Sequence, residues 1–335
     1  MSKEGAKPRI LLTGKTGQVG GALAPLLARL GRLTALDRRE LDLSRPDEIR
    51  RVIRGVLPGV IVNAAAYTAV DRAESDEAAA RAINSVAPAV MAEEAQRLGA
   101  LLVHYSTDYV FDGTKRSPYE EDDAANPLNV YGKTKLEGEQ AIQQIGPPHL
   151  IFRTSWVYAP RGRNFLLTVL RLATEKEDLR IVRDQTGAPT SSLAIAAATA
   201  EVLSQICADA NSLQSRPGTE CIYHMTAGGE TNWYSFAELI LELASSQSQA
   251  GDWLAPATNN RPLIARRIVP IATEEFPTPA RRPAYSVLAN RKLNDAFGVR
   301  LPHWQEQLRA VFSDRACEVH RPSASKNQSA EKAKK

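Results

Sequence analysis

The 335-residue chain has little of what marks secreted, membrane-spanning or metal-binding proteins. Its three cysteines, Cys207, Cys221 and Cys317, have neither the even number of a disulfide framework nor the spacing of a zinc site. No apolar run is long enough for a signal peptide or a membrane span; the most apolar stretch, 193–203, is rich in alanine and carries Glu201. These absences predict a soluble protein of the reducing cytoplasm that has no membrane partner.

A basic surface is also missing from the body of the chain. The formal net charge of +4 comes from residues 315–335, which hold six basic and two acidic side chains, whereas the rest holds 36 of each. A nucleic-acid partner would need a basic patch within the folded part, so none is predicted. Residues 313–335 are rich in Ser, Lys and Ala and are interpreted as a disordered basic tail.

What is present is an alternation of short apolar runs with helical stretches over the first 155 residues. This rhythm predicts an α/β fold of the Rossmann type, a doubly wound parallel sheet with helices on both faces. Ligands of such sheets bind beyond the carboxyl ends of the strands. The predicted strands are 10–13, 33–36, 59–63, 101–106 and 150–154, and the predicted helices 19–30, 46–57, 77–98 and 131–145.

The second half of the chain has a looser pattern, with helical signals at 164–174, 192–207, 234–245 and 304–312 separated by proline-rich connections. A strand candidate at 220–225 suggests that part of it returns to the sheet. We therefore predict a dinucleotide-binding domain at 8–158, joined again by segments near 186–230, and a smaller C-terminal α/β substrate-binding lobe formed by 159–185 and 231–312.

A glycine-rich turn follows the first predicted strand, with Gly14, Gly17 and Gly20 at three-residue spacing. Such a turn lets the backbone approach a pyrophosphate, while the next helix offers its N-terminal amides to the phosphates. Its position between a strand and an amphipathic helix supports a dinucleotide site. A P-loop is excluded because that motif needs a glycine where Arg9 stands.

The second predicted strand ends at Asp37, 23 residues after Gly14, where a carboxylate can accept hydrogen bonds from the adenosine ribose. Arg38 and Arg39 follow and could receive a 2′-phosphate instead. The coenzyme is therefore predicted to be NADPH or NADH, with no choice between them. The small side chains Ala64, Ala65 and Ala66 after the third strand could let an adenosine or a ribose pass.

The candidate catalytic residues follow the fourth strand and open the next long helix. Thr107 lies at the end of the strand, and Tyr131 and Lys135, four residues apart, share one face of the helix. A phenol transfers protons poorly at neutral pH, but a nearby ammonium and a cationic nicotinamide favour its ionised form. We predict Tyr131 as the proton donor, and Lys135 as its support and the holder of the nicotinamide ribose. A hydroxyl from Thr107 or Ser106 would orient the substrate carbonyl, and Thr107 is taken as the catalytic one.

These and further stretches resemble the extended short-chain dehydrogenases/reductases, and among them the dTDP-4-dehydrorhamnose reductase family. The resemblance covers residues 9 to about 312. It is most specific around Trp156, Gln185 and Arg281. The matching stretches are GKTGQVG (14–20), VIVNAAAYTAVDRAES (60–75), HYSTDYVFDG (104–113), PLNVYGKTKLEGE (127–139), HLIFRTSWVYA (149–159), DQTGAPT (184–190) and PTPARRP (277–283).

By that resemblance, the reaction is hydride transfer from NADPH or NADH to C4 of a dTDP-linked keto sugar, dTDP-4-dehydro-β-L-rhamnose. The resemblance further implies that Asp108 touches a sugar hydroxyl, that Trp156 borders the sugar ring, and that Arg281 or Arg282 pairs with the diphosphate. It places Gln18 and Val19 near the coenzyme pyrophosphate and Asp42 and Leu43 near the adenine.

One departure concerns a magnesium ion that members of this family hold at a dimer interface with glutamates. The corresponding stretches here, 20–23 and 191–194, contain no carboxylate, which a hard cation prefers. We predict no metal site and a monomer or weak homodimer. The alternatives that remain are a related nucleotide-sugar epimerase or reductase, and a non-catalytic dinucleotide-binding regulator like the regulatory subunit of methionine adenosyltransferase.

Overall fold

The computed structural model describes residues 7–207, 221–246 and 252–313. Its centre is a six-stranded parallel sheet in the order β10-β5-β4-β3-β1-β2. The predicted α/β Rossmann-type fold is therefore confirmed, and the predicted strand at 220–225 is present as β10. The strands are β1 (Arg9–Thr13), β2 (Arg32–Leu36), β3 (Val60–Asn63), β4 (Leu101–Thr107), β5 (His149–Thr154), β6 (Val157–Tyr158), β7 (Asp178–Val182), β8 (Thr186–Gly187), β9 (Thr190–Ser191), β10 (Cys221–His224), β11 (Thr231–Asn232) and β12 (Arg267–Ile271).

Helices cover both faces of this sheet, because its strands are apolar on both sides. One face packs against α1 and α8, through Leu23, Leu27 and Ile195. The other packs against α2, α5 and α6, through Ile49, Met91 and others. The helices are α1 (Gln18–Leu30), α2 (Pro46–Val56), α3 (Val70–Ala73), α4 (Glu77–Arg81), α5 (Ala87–Leu98), α6 (Val130–Ile145), α7 (Phe165–Ala173), α8 (Ser192–Cys207), α9 (Trp233–Ser246), α10 (Leu254–Ala257), α11 (Arg291–Phe297) and α12 (Trp304–Phe312).

The single helix predicted at 77–98 is wrong in one detail, because a π-helical turn at Ala82–Val86 separates α4 from α5. Pro88 has no N–H to continue the regular hydrogen-bond ladder, which favours such a local widening. The turn also lets the Asn84 side chain bond to the backbone of Tyr67. Helix α6 passes so close that a Cβ on Gly138 would lie 2.2 Å from the Asn84 carbonyl oxygen.

A second apolar core lies in the later part of the chain, where α7, α9 and α12 pack around Leu170, Phe236 and Leu308. Three two-stranded ladders, β7 with β12, β8 with β11 and β6 with β9, accompany it. None of these ladders was predicted, since pairs of two to five residues leave little periodic signal. The domain boundaries stay a prediction. Residues 314–335, almost all of the predicted tail, lie outside the described residues, as does Cys317.

Across the described ranges, no helix combines the length and the apolar character that crossing a bilayer requires.

Candidate active site

The turn after β1 has the geometry of a phosphate-binding loop. Gly14 has a φ of +76°, and a Cβ there would lie 2.9 Å from the backbone nitrogen of Ala65. A Cβ on Gly20 would lie 2.2 Å from the Gly14 carbonyl oxygen, so the loop and α1 pack without room for a side chain. No side chain caps the N-terminus of α1 at Gly17, which leaves its first amides free for an anion.

A cleft of about 760 Å³ opens above this loop at the carboxyl edge of the sheet. Of the predicted coenzyme residues, all except Gly20 line it: Gly14, Gly17, Gln18, Val19, Asp37, Arg38, Asp42, Leu43, Ala64, Ala65, Ala66, Tyr131 and Lys135. Gly20 instead packs beneath the loop. The structure thus brings the glycine loop and the Tyr/Lys pair together in one cleft.

At one end of the cleft, charged side chains lie on exposed turns. The Asp37 carboxylate accepts a hydrogen bond from the backbone of Arg39 at 2.8 Å, and Arg38 is exposed. The Asp42 carboxylate accepts from the backbone and hydroxyl of Ser44, and these two bonds hold its pKa below the usual range. This end offers both an acceptor for a ribose and an arginine for a phosphate.

The loop 160–164 lies along the cleft beside the phosphate loop, and sequence reasoning missed it. Arg161, Gly162 and Arg163 all line the cleft, and an Arg161 Nη atom lies 3.4 Å from the Gln18 carbonyl oxygen. The Asn164 side chain donates to Gln18 at 2.8 Å, which ties this loop to the phosphate loop. The two arginines bring positive charge to the place where a pyrophosphate would lie.

At the other end, the end of β4 positions Thr107 and Asp108. The Thr107 hydroxyl donates to the Asp108 carboxylate at 3.0 Å, and Ser155 donates to its other oxygen at 3.0 Å. Asp108 is 2% exposed, and burial raises its pKa to about 6 despite hydrogen bonds from Ser286, Ser155 and Thr107 that lower it. Thr107 and Asp108 do not line the cleft itself but lie beside Tyr131.

Helix α6 carries Tyr131 in its first turn. Its N-cap is Asn129, which accepts a hydrogen bond from the backbone of Gly132 at 2.8 Å and donates to the Arg281 carbonyl oxygen at 2.8 Å. Desolvation raises the pKa of Tyr131 to about 12, although the Thr107 hydroxyl lowers it. The phenol is therefore protonated at neutral pH and can donate its proton.

Lys135 follows one turn later and is 2% exposed. Its Nζ donates to the Tyr105 carbonyl oxygen at 2.6 Å and lies 3.0 Å from His104 Nε2. Burial lowers the pKa of Lys135 to about 8, while the Glu139 carboxylate raises it. Desolvation is the largest influence on the Tyr131 pKa in the free protein, and the expected lowering by an ammonium together with a cationic nicotinamide stays a prediction.

Trp156 is not among the residues that line the cleft. Its ring stacks on Trp233 with 3.5 Å between centroids, and a Cβ on Gly187 would collide with it. Trp156 also has a φ of +47°, an uncommon conformation for a bulky residue that often marks functional sites. Its predicted contact with a sugar ring stays a prediction.

Of the two arginines predicted to pair with the substrate diphosphate, Arg282 is already engaged in contacts within the protein. Its guanidinium forms an ion pair with Asp71 at 2.8 Å and also donates to Thr278 and to the Ala280 carbonyl oxygen. Arg281 is exposed and contributes only its carbonyl oxygen to the hydrogen bond from Asn129. Arg281 is therefore the one whose charge remains available for a substrate diphosphate.

Two buried hydroxyls at the cleft indicate whether a polar ligand fits there. Ser106 Oγ and Thr154 Oγ1 both belong to cleft-lining residues, and neither finds a hydrogen-bond partner within the described residues. Buried polar groups in folded proteins are nearly always satisfied. The hydroxyls therefore indicate a bound group with hydrogen-bonding atoms, which a nicotinamide with its carboxamide provides. Across the same residues, no three His, Cys, Asp or Glu side chains are grouped so as to hold a metal ion.

A parallel sheet with a glycine loop after its first strand, and a Tyr/Lys pair beside a threonine at the end of its fourth, define the short-chain dehydrogenase/reductase class. The family model "RmlD substrate binding domain" matches residues 8–317, and the chain belongs to that family.

Named relatives agree with this assignment. The chain is 49% identical over 300 residues to a dTDP-4-dehydrorhamnose reductase of Burkholderia thailandensis, covering 89% of this chain and 95% of the relative. It is 43% identical to that of Escherichia coli K12, covering 91% and 97%. A Bacillus anthracis dTDP-4-dehydrorhamnose reductase solved in complex with NADP superimposes with a TM-score of 0.77 at 31% identity, covering 91% and 99%.

Proposed function

We propose that this protein is an oxidoreductase that reduces the C4 keto group of dTDP-4-dehydro-β-L-rhamnose to dTDP-β-L-rhamnose, with NADPH or NADH as coenzyme. The observation that carries the proposal is the single cleft in which the phosphate loop, Tyr131 and Lys135 meet. The high identity to reductases named for this reaction supplies the substrate. The fold alone would not distinguish this substrate from others, because one fold serves many functions.

The coenzyme would lie along the cleft from the exposed turns of Asp37 and Arg38 to the buried end at Tyr131. The backbone amides at Gln18 and Val19 would bind the pyrophosphate, while the Gly17 amide donates to the Gly14 carbonyl oxygen and closes the turn. When bound, the reduced nicotinamide supplies the hydride. The hydroxyls of Ser106 and Thr154, which have no partner within the described residues, would form hydrogen bonds with the carboxamide of the nicotinamide.

Tyr131 would give its proton to the C4 oxygen of the sugar as that oxygen gains negative charge. The raised pKa of the phenol keeps the proton in place until the substrate oxygen becomes the stronger base. The Thr107 hydroxyl, which donates to Asp108 in the free protein, would turn to donate to the carbonyl oxygen and direct it toward Tyr131. Lys135 would hold the nicotinamide ribose. Asp108 and Trp156 would contact the sugar, and Arg281 the diphosphate.

The same proposal includes the setting in which the enzyme works. We infer a cytoplasmic protein that acts as a monomer or weak homodimer without magnesium, since the residues at 20–23 and 191–194 provide no carboxylate for an interface cation.

A coupled assay tests the proposed reaction. The dTDP-linked keto sugar is supplied with NADPH or NADH, and coenzyme oxidation is followed by absorbance, with and without EDTA. We expect oxidation that depends on the sugar nucleotide and is unchanged by EDTA. If neither coenzyme is oxidised by properly folded protein, the proposed reaction is wrong. An isolated protein that retains bound NAD and interconverts sugar epimers would point to an epimerase instead.

A further inference from the structure

Four buried polar side chains form a continuous hydrogen-bonded row beneath the cleft. Thr13 Oγ1 donates to Asn63 Oδ1 at 2.7 Å, Asn63 Nδ2 lies 3.1 Å from His104 Nδ1, and His104 Nε2 lies 3.0 Å from Lys135 Nζ. Each of the four residues is at most 2% exposed. Only Thr13 and Lys135, the two ends, line the cleft.

The sheet itself places three of these residues side by side. Thr13 is the register partner of Asn63 in the pairing of β1 with β3, and Asn63 is the partner of His104 in the pairing of β3 with β4. Residues paired in this way on neighbouring strands put their side chains on the same face. The row therefore follows from the parallel register, and α6 completes it by laying Lys135 over His104.

The donors and acceptors in the row determine which imidazole nitrogen carries the proton. Thr13 and the backbone N–H of Ala65 both donate to Asn63 Oδ1, so the amide nitrogen of Asn63 faces His104 and donates to Nδ1. A neutral imidazole that accepts at Nδ1 carries its proton on Nε2. An Nε2–H can donate to Lys135 only if that nitrogen is an uncharged amine.

The ammonium form of Lys135 needs the opposite arrangement. An ammonium has donors only, so His104 Nε2 must accept and the proton must move to Nδ1. Asn63 then has to turn its amide so that Oδ1 accepts from Nδ1–H. Thr13 permits both orientations, because its hydroxyl donates to an oxygen or accepts from an N–H. The hydrogen bond from the Ala65 N–H, the longest in the row at 3.4 Å, is given up when the amide turns.

We propose that His104 is a positioning residue for Lys135, and that its tautomer, set together with the orientation of Asn63, controls whether Lys135 is an amine or an ammonium. The inference deepens the proposed function, since it assumes that Lys135 serves the reaction. His104 itself touches neither the cleft nor the coenzyme site.

The other charged groups around Lys135 do not replace this control. On its own helix, Tyr131 holds its proton at neutral pH. Glu139 raises the pKa of Lys135, but its carboxylate is fixed in a buried ion pair with Arg153 of β5 at 2.7 Å and is the same for both tautomers. From β4 only the His104 ring and the Tyr105 carbonyl oxygen are hydrogen-bonded to Nζ. Burial and the charge of Lys135 hold the pKa of His104 well below its usual range, so its ring stays neutral and only the tautomer changes.

Nuclear magnetic resonance of ¹⁵N-histidine-labelled protein tests the coupling without coenzyme or substrate. Ring nitrogen shifts are recorded as the pH rises through about 8, the pKa of Lys135. We expect the proton on Nδ1 at the acid end and on Nε2 at the alkaline end, and no change of tautomer in Lys135→Met. Assignment comes from His104→Gln, which lacks the signal. A single tautomer throughout in the wild-type protein would overturn the proposal.

Kinetics provide a second test that a merely structural role would not pass. Asn63→Asp keeps Nδ1 protonated, so it should raise the apparent pKa of the basic limb of kcat/KM. Because a carboxylate could also act by charge alone, the shift is measured again in a His104→Gln background. We expect most of the pKa shift caused by Asn63→Asp to disappear in the His104→Gln background. An equal shift in both backgrounds contradicts control through the tautomer.

His104→Leu and His104→Gln separate positioning from packing. Leucine removes the hydrogen bond to Lys135 and should lower kcat about tenfold or more, whereas glutamine, which can still accept from and donate to its neighbours, should restore most of it. Thermal unfolding checks that both variants fold. If glutamine restores nothing while folding normally, the imidazole is not replaceable by another hydrogen-bonding group and the positioning role is wrong. Because the resonance experiment needs no turnover, a failure of the proposed reaction would not be confused with a failure of this inference.

Discussion

The two ends of the cleft are built in different ways. The end that holds Tyr131 and Lys135 rests on strand termini and on the start of a long helix, with Lys135 and its partner His104 at most 2% exposed. The end at Asp37 and Arg38 consists of turns whose charged side chains face solvent and bond mainly to backbone within a few residues. The sheet fixes the positions of the side chains at the end with Tyr131 and Lys135, whereas local turns fix them at the end with Asp37 and Arg38.

This difference bears on what each end can determine. Groups withdrawn from solvent have shifted pKa values, as for the buried Lys135 and Asp108 and the half-buried Tyr131, and they are held in fixed directions, as acid–base chemistry requires. Exposed charges are screened by solvent and adapt to what binds them. We therefore expect chemistry to depend on the buried end and coenzyme preference on the exposed end.

The largest expected effect comes from Tyr131→Phe at the buried end. Loss of the proton donor should lower kcat by roughly 10²- to 10⁴-fold, since that is the usual contribution of a positioned general acid. The dissociation constant of the coenzyme, measured by fluorescence, should change little because the phosphate loop is untouched. A variant with near-normal kcat would show that another group donates the proton and would remove the contrast between the two ends.

A smaller effect is expected from Asp108, seen as pH dependence of stability. Folding raises its pKa from 3.8 to about 6, so the folded protein binds this proton more tightly. The stabilisation is full below about pH 3.8 and is lost as the pH rises through about 6, a contribution on the order of 3 kcal/mol.

Asp108→Asn removes this titration. Urea unfolding of both proteins at several pH values should show the wild type losing stability relative to the variant between about pH 4 and 6. The comparison of the two curves cancels the contributions of the other carboxylates. Parallel curves would mean that Asp108 is not desolvated as the structure shows it.

The smallest expected effect concerns coenzyme preference at the exposed end. If Arg38 receives a 2′-phosphate, Arg38→Ala should weaken NADPH binding by about tenfold and leave NADH binding nearly unchanged. Arg161→Ala is the matched control, because Arg161 lies beside the phosphate loop at Gln18 and should weaken both coenzymes equally. Calorimetry of the wild type and both variants with each coenzyme gives the six dissociation constants. Equal losses in Arg38→Ala would place that side chain on a part common to both coenzymes.

Sequence reasoning predicted where a residue lies when its position follows from the end of an element, while the catalytic roles stay predictions. The glycine loop, Thr107, Tyr131 and Lys135 could be placed because strands and helices of the first half have strong periodic signals. It missed the loop 160–164 and the His104 row. Arg161 reaches the cleft through the path of the loop after β6, and Asn63 meets His104 through the order of the strands. A single sequence displays neither.

The bond between Asn129 and the Arg281 carbonyl oxygen has a consequence for protein synthesis. The cap of the helix that carries Tyr131 is completed by a residue 152 positions later in the chain. Strand β10, the edge neighbour of β5, is likewise made only after residue 221 leaves the ribosome. A nascent chain that has already exposed its glycine loop therefore lacks this contact to the helix of the proton donor until residue 281 has been made.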